Sequence, residues 1–361
     1  MDISKIDKNF SNTYSFEGMK MYNVNDEPFK LYGLYRKDGE TDFKRLPEDV
    51  ATKTNNASVQ DLYKTTSGIR VKFATDSQRI ILRCVVPYLY SVPHMAAISS
   101  SCFDLYIDGE YHNAFRPGLD QTKVTTENAD NDKGFSSGFV FPDKKRREIL
   151  IHFPLYNPVD EVYIYLEEDS QVYPPKDYKH ELPFVVYGSS ITHGACASHP
   201  GNSYPAMLSR TLDSDFINLG FSAGCRGELC LAEHIAKIPQ SVFIYDYDNN
   251  APTLEHLQNT HEAFFKKFRE LCPTTPVIFM TAHDNRGKTY GVKAHDDRRE
   301  VIYQTYKHAV DAGDNNVYFI DGSHFFQSVG DDLCTVDGTH PNDLGFYCMS
   351  KAVERILKNL L

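Results

Sequence analysis

Nothing in this chain approaches the roughly 18 consecutive apolar residues of a membrane-spanning helix. Positive charge is also scarce. Lys and Arg total 38 against 49 Asp and Glu, a net charge of −11. The one basic cluster, Lys144-Lys145-Arg146-Arg147, reads as a solvated turn between strands. That balance argues against nucleic acid and anionic membranes as partners and suits a neutral small-molecule or glycan substrate. The eight cysteines include no CxxC pair, and Cys225 and Cys230 have no His or Cys partner at zinc-site spacing. Reduced thiols, no metal and no organic cofactor are the expectation. The first eight residues lack an apolar h-region, so no signal peptide is visible. A cytoplasmic protein is expected, or an extracytoplasmic one if a leader has been trimmed away.

What is present is an ordinary globular composition, 41% hydrophobic and 24% charged, in 361 residues, which is enough for two domains. Residues 1–175 read as all-β. Val71-Lys72-Phe73, Ile80-Ile81-Leu82, Phe103 to Ile107, Glu148 to Phe153 and Val162 to Tyr165 are short β-branched or aromatic runs. Turn residues separate them, and Asp108-Gly109 is a hairpin signal. This density of strands predicts a β-sandwich or jelly roll. The tyrosines there are core or glycan-stacking residues. Tyr173-Pro174-Pro175-Lys176 reads as a linker.

From 181 to 361 strands and helices alternate. Phe184 to Tyr187, Phe216 to Leu219, Val242 to Tyr245, Val277 to Met280 and Val317 to Ile320 are strand-like. Helical patterns follow at Tyr204 to Leu212, at Glu228 to Ala236, from Leu254 through Phe264 and Phe268 to Leu271, near 297–312, and at a final stripe of Met349, Ala352, Ile356 and Leu360. Alternation of this kind predicts a parallel sheet covered on both faces, with ligands at the carboxyl ends of its strands.

Two segments 150 residues apart carry the chemistry. Gly188-Ser189-Ser190-Ile191-Thr192-His193-Gly194 places a serine at a strand-to-helix turn, and Asp337-Gly338-Thr339-His340 places a carboxylate one backbone turn from an imidazole. Acyl transfer from an ester needs a nucleophile, a general base and a group that orients the base. Each segment alone has an ordinary structural explanation, an N-capping serine or an Asp-capped turn. In the order Ser, Asp, His, and with Ser190, Ala223 and Asn250 all just beyond strands of one sheet, they point to an esterase.

These blocks resemble the SGNH, or GDSL-like, hydrolases. Gly188-Ser189-Ser190-Ile191, Asn218 to Ala223, Asp246 to Asn250 and Asp337 to His340 match the four family blocks. The resemblance implies a flavodoxin-like three-layer α/β domain over 181–361. Ser190 would be the nucleophile, His340 the base and Asp337 its orienting carboxylate. The oxyanion hole would comprise the Ser190 and Ala223 N–H groups and the Asn250 amide. Two positions depart from the family: Ser189 replaces an Asp, and Ala223 replaces a Gly, so Gly224 competes with Ala223; Asn249 competes with Asn250, because a one-residue slip in the match swaps them. Arg45-Leu46-Pro47 and Gln60-Asp61-Leu62-Tyr63 resemble signatures of the β-sandwich that precedes one subgroup of these hydrolases. Members of that subgroup imply short-acyl, acetyl-type ester hydrolysis on carbohydrates. A lipase, thioesterase or acyltransferase with the same residues is the alternative, as is a carbohydrate-binding protein that has lost catalysis. For the N-terminal half, a scaffold or a contact between copies is the default if it binds no glycan.

Other groups fit chemistry less well. His283-Asp284 and His295-Asp296-Asp297 could ligate a metal but also suit helix capping, with Asp297 just before a helix. Asp246 and Asp248 read as hydrogen-bonded loop formers. Cys196 and Cys225 read as packing residues, His193 and His199 as loop hydrogen-bonders, and Arg226 as a salt-bridge or substrate-orienting residue.

Overall fold

A computed structural model of the chain describes residues 14–36, 39–117, 134–283 and 292–361. Residues 1–8, read above for a leader, and Asp284 lie outside that set. The chain divides into two compact units, Met1–Lys44 with Lys64–Asp177, and Arg45–Tyr63 with Tyr178–Leu361.

The first unit is antiparallel β. Its strands are β1 (Met19–Asn23), β2 (Lys30–Tyr32), β3 (Arg70–Thr75), β4 (Arg79–Val85), β5 (Phe103–Ile107), β6 (Glu110–Phe115), β7 (Phe135–Val140), β8 (Arg147–His152), β9 (Glu161–Glu167) and β10 (Val172–Tyr173). They form one sheet in the order β1-β9-β4-β7 and another in the order β10-β3-β8-β5-β6, with β2 also on β3. Period-two burial sends Ile80, Leu82 and Cys84 of β4, and Val162, Ile164 and Leu166 of β9, into a core shared with Phe73, Phe103 and Ile151 of the other sheet. Asp108 and Gly109, both at positive φ (52° and 91°), turn β5 into β6. The basic cluster is not wholly solvated. Arg147 opens β8, is buried, lies over the Phe141 ring and pairs with Asp143.

The second unit is α/β. Its five parallel strands are β11 (His180–Gly188), β12 (Ser214–Gly220), β13 (Val242–Asp246), β14 (Val277–Met280) and β15 (Val317–Ile320), in the order β12-β11-β13-β14-β15. That is the flavodoxin-like order, with its switch point at β11. Its helices are α1 (Glu48–Lys53), α2 (Ala57–Leu62), α3 (Ser190–His193), α4 (Tyr204–Leu212), α5 (Leu229–Ile235), α6 (Leu254–Leu271), α7 (Val292–Asp311), α8 (Asp331–Cys334) and α9 (Asp343–Leu357). The all-β expectation for residues 1–175 therefore fails at 45–63. Leu46, Ala51, Val59, Leu62 and Tyr63 pack in one core with Val185, Ile217, Leu231 and Phe243 of the α/β unit. On α9 the buried stripe is Phe346, Met349, Val353 and Leu357, offset from the predicted Ala352, Ile356 and Leu360, and the helix ends before Leu360. On α6, Phe264 and Phe268 are core as expected, while Leu271 is exposed.

Candidate active site

Strand register sets the stage. Gly188 of β11 stands beside Gly220 of β12 and Asp246 of β13, so the loops that follow all three leave the sheet at one level. Both glycines are required by close approach. A Cβ on Gly220 would run into the backbone of His193, and one on Gly188 into Thr192 Oγ1. Packing at that distance lets α3 begin directly above the sheet edge. Ser189 caps the short helix, its Oγ accepting from Ile191 N at 3.2 Å, and Gly194 ends it at φ 103°. The capping role thus falls to Ser189, in the position where the family pattern has Asp, and Ser190 is left to project from the first helical residue.

Ser190 Oγ lies 2.9 Å from His340 Nε2, and His340 Nδ1 lies 2.7 Å from Asp337 Oδ2. The second contact fixes the tautomer. A ring nitrogen facing a carboxylate carries the proton, so neutral His340 presents a bare Nε2 to accept from the serine hydroxyl. Asp337 Oδ1 also accepts from the backbone N–H of Thr339 and His340, at 3.0 and 2.8 Å. Partial burial pushes this carboxyl up, but the His340 backbone N–H, the His340 ring and the Thr339 N–H outweigh it and hold it down at about 2. The loop itself is closed by Val336 N donating to His340 O and by Thr335 bridging Pro341. From the loop that follows β14, His283 Nε2 donates to Thr339 O at 2.8 Å. This histidine, read as a metal-ligand candidate, serves instead to hold the loop that carries Asp337 and His340.

Ala223 and Gly224 differ in backbone geometry and in hydrogen bonding. The φ of Ala223 is +55°, a left-handed conformation that costs an alanine about 1 kcal/mol. The competing Gly224 N–H is taken by Phe221 O at 2.9 Å, closing the turn. Neither Ser190 N–H nor Ala223 N–H donates to another described residue. Asn250 Oδ1 accepts from Cys225 N at 3.4 Å, which ties this amide to the 220–225 loop and leaves its NH2 end to donate. Arg226 is exposed and donates to Ala223 O at 3.2 Å, a support for the same loop rather than a salt bridge.

Beneath the rim lie buried polar groups. Asp246 accepts from Thr192 Oγ1 at 2.6 Å and from Tyr204 OH at 3.1 Å. Burial raises its carboxyl to about 7, against the lowering effect of those hydroxyls. Asp248 pairs with Arg298 Nε at 2.8 Å and accepts from Ala282 N at 2.9 Å. Both acids are hydrogen-bonded, Asp248 in the loop as expected and Asp246 as the last residue of β13. Asn218 donates to Thr192 O at 2.7 Å and accepts from Gly220 N at 2.8 Å, locking α3 to β12. His193 is buried with Nδ1 3.4 Å from Ser222 Oγ. Cys196 and Cys225 are buried thiols, and burial pushes the Cys196 thiol up to about 12, so neither is a ready nucleophile. His295 to Asp297 sit inside α7, which begins at Val292, so Asp297 does not precede the helix, and Asp296 pairs with Arg299.

Residues 181–358 match the GDSL-like lipase/acylhydrolase family, and residues 19–172 match the N-terminal domain of SGNH-hydrolase-type esterases. A Bacteroides ovatus protein assigned as a GDSL-like lipase is 28% identical, with a TM-score of 0.81 over 95% of this chain and 98% of that one. The salicylyl-acyltransferase SsfX3 of a tetracycline biosynthetic pathway is 20% identical, with a TM-score of 0.76 over the same shares. A family two carbohydrate esterase from Cellvibrio japonicus is 12% identical, with a TM-score of 0.61, again over 95% and 98%. These last two likenesses show a shared fold. No curated protein matches.

Proposed function

Since the chain belongs to the GDSL-like lipase/acylhydrolase family, we propose that it is a serine esterase that removes short acyl groups, acetyl foremost, from carbohydrate esters. The observation that carries the proposal is the continuous hydrogen-bonded path from Ser190 Oγ through His340 to Asp337, at 2.9 and 2.7 Å. In this mechanism Ser190 Oγ attacks the ester carbonyl while His340 Nε2 takes its proton. Asp337, ionised throughout the working pH range, steadies the imidazolium that forms. The Ser190 and Ala223 N–H groups and the Asn250 NH2 receive the charge on the tetrahedral oxygen, fixed in place before it develops. His340 then protonates the departing alkoxide, and water activated by the same ring releases the acid. No step calls on a metal or organic cofactor. The carbohydrate part of the proposal takes its substrate class from the carbohydrate esterases that share the fold. An alcohol in place of water at the second step would make the same residues an acyltransferase.

The test is hydrolysis of 4-nitrophenyl acetate, butyrate and octanoate by wild type and Ser190→Ala, followed by acetylated sugars. Acetate preference, with a loss on the order of 10⁵-fold or more in the variant, is expected. Full activity in Ser190→Ala would sink the assignment, and octanoate preference would move the substrate to lipids or thioesters.

A further inference from the structure

Ala223 holds a left-handed backbone that alanine does not favour, so something must impose it. The restraint comes from outside the hydrolase match, which begins at residue 181. Arg45, with 3% of its surface exposed, donates through Nη1 to Gly220 O at 2.6 Å and Asn218 O at 3.3 Å, and through Nη2 to Leu62 O at 2.8 Å. Its guanidinium lies over the Phe221 ring, 4.5 Å from the centroid. On the far side of the turn, Asn56 Nδ2 donates to Gly224 O at 2.9 Å and to Glu228 Oε1 at 2.6 Å. Asn56 itself is pinned, because its Oδ1 caps α2 by accepting from Ser58 N. Ser58 and Val59 press so closely on Gly224 that a Cβ there would lie 3.1 Å from Val59 Cγ2. Arg45 and Asn56 therefore grip the two carbonyls, Gly220 O and Gly224 O, that bracket Ala223.

We propose that residues 45–63 form a clamp that positions the Ala223 N–H for the oxyanion, with Arg45 and Asn56 as positioning residues. Neither touches the substrate. The inference rests on the reading of Ser190 as nucleophile. On this view the family block around Ala223 is incomplete without a segment that precedes it by some 160 residues of sequence, and the left-handed alanine is held from both ends instead of being supplied by a glycine. Arg suits the first grip because its rigid planar fork sets two separate nitrogens against carbonyls of two segments, whereas a lysine offers a single nitrogen on a flexible stem. An Asn suits the second because its oxygen caps a helix while its NH2 reaches across to the loop.

The test uses the full-length protein and four forms: wild type, Arg45→Lys, Asn56→Ser and Ser190→Ala. Serine at position 56 keeps the helix cap but is too short to reach Gly224 O, so this variant decides the question if Arg45→Lys fails to fold. Three quantities are read: kcat and KM for 4-nitrophenyl acetate, the second-order rate of phosphonylation by a fluorophosphonate, and the Kd of phenylboronic acid, which forms a charged tetrahedral adduct on serine. Loss of a whole oxyanion donor costs about 10²–10³ in kcat, so a misplaced one should cost roughly 10- to 100-fold. The expected result is that drop in kcat and in phosphonylation rate, a matching rise in boronate Kd, and KM within about twofold. Wild-type kcat, phosphonylation rate and boronate Kd in folded Asn56→Ser would overturn the clamp, whatever happens to its melting temperature. Failure of the underlying reading looks different: Ser190→Ala would stay active or still react with the fluorophosphonate.

Discussion

Replacing Asp246 by Asn should remove a pH dependence of stability that this one carboxyl creates. Asp246 ends β13, is fully enclosed, and accepts hydrogen bonds from Thr192 and Tyr204. Burial raises it to about 7 from an ordinary 3.8. The folded chain thus holds this proton about a thousandfold more tightly than the unfolded chain, which is worth about 4 kcal/mol. Because the folded value is the higher one, that stability is fully present below about pH 4 and is lost as the pH rises towards 7. Two buried histidines act in the opposite direction. Burial lowers His261 to about 3 and His234 to about 4, so their contribution is present above pH 6.5 and is lost as the pH falls. The wild-type curve alone is therefore not diagnostic, but the difference between wild type and Asp246→Asn isolates the carboxyl. Asn keeps the shape and an acceptor oxygen for both hydroxyls, and it does not titrate. Urea unfolding of both proteins at pH 4.5, 5.5, 6.5 and 7.5 should show Asn gaining on Asp by about 3 kcal/mol across that range. For a unit of this size the same gain is roughly 6–12 °C in melting temperature. Parallel curves would refute the burial account, because they would mean that the carboxyl ionises in place as it does in water.

Two further substitutions probe the rim and its support. Asn250→Ala should lower kcat by about 10²–10³ with little change in KM, because only the charged intermediate needs the lost donor; steady-state kinetics on an acetyl ester checks this, and a change confined to KM would make Asn250 a substrate-binding residue instead. Gly220→Ala should destabilise the α/β unit by about 3 kcal/mol or leave it insoluble, since the new methyl collides with the His193 backbone; an unshifted urea midpoint would show that β12 and α3 can part without cost.

The α/β half was legible because each of its signals is local and repeated. Runs such as Val242 to Tyr245 are apolar over the length of a strand, and α6 repeats Leu257, His261, Phe264 and Phe268 on one face. The residues of the candidate site were legible for the same reason, as short blocks that end strands of one sheet, although their geometry was not. Sequence leaves Ala223 against Gly224 open, and the observation that favours Ala223, a hydrogen bond from Gly224 N to Phe221 O, is one that no pattern encodes. The stripe on α9 was misplaced because Ala352 and Ile356 are apolar without facing the core, while Ser350, polar, does. The segment 45–63 was lost for a deeper reason. Its two helices are six residues each, too short for a 3.6-residue period to declare itself, and they lie between β-rich stretches. Their stability comes from Leu46, Val59 and Leu62 burying against a sheet whose first strand begins more than 100 residues later. A signal that exists only once the distant partner has folded cannot be read from the local string. Such a segment is also suited to join the two ends of a loop like 220–224, because nothing in its own neighbourhood fixes where it must go.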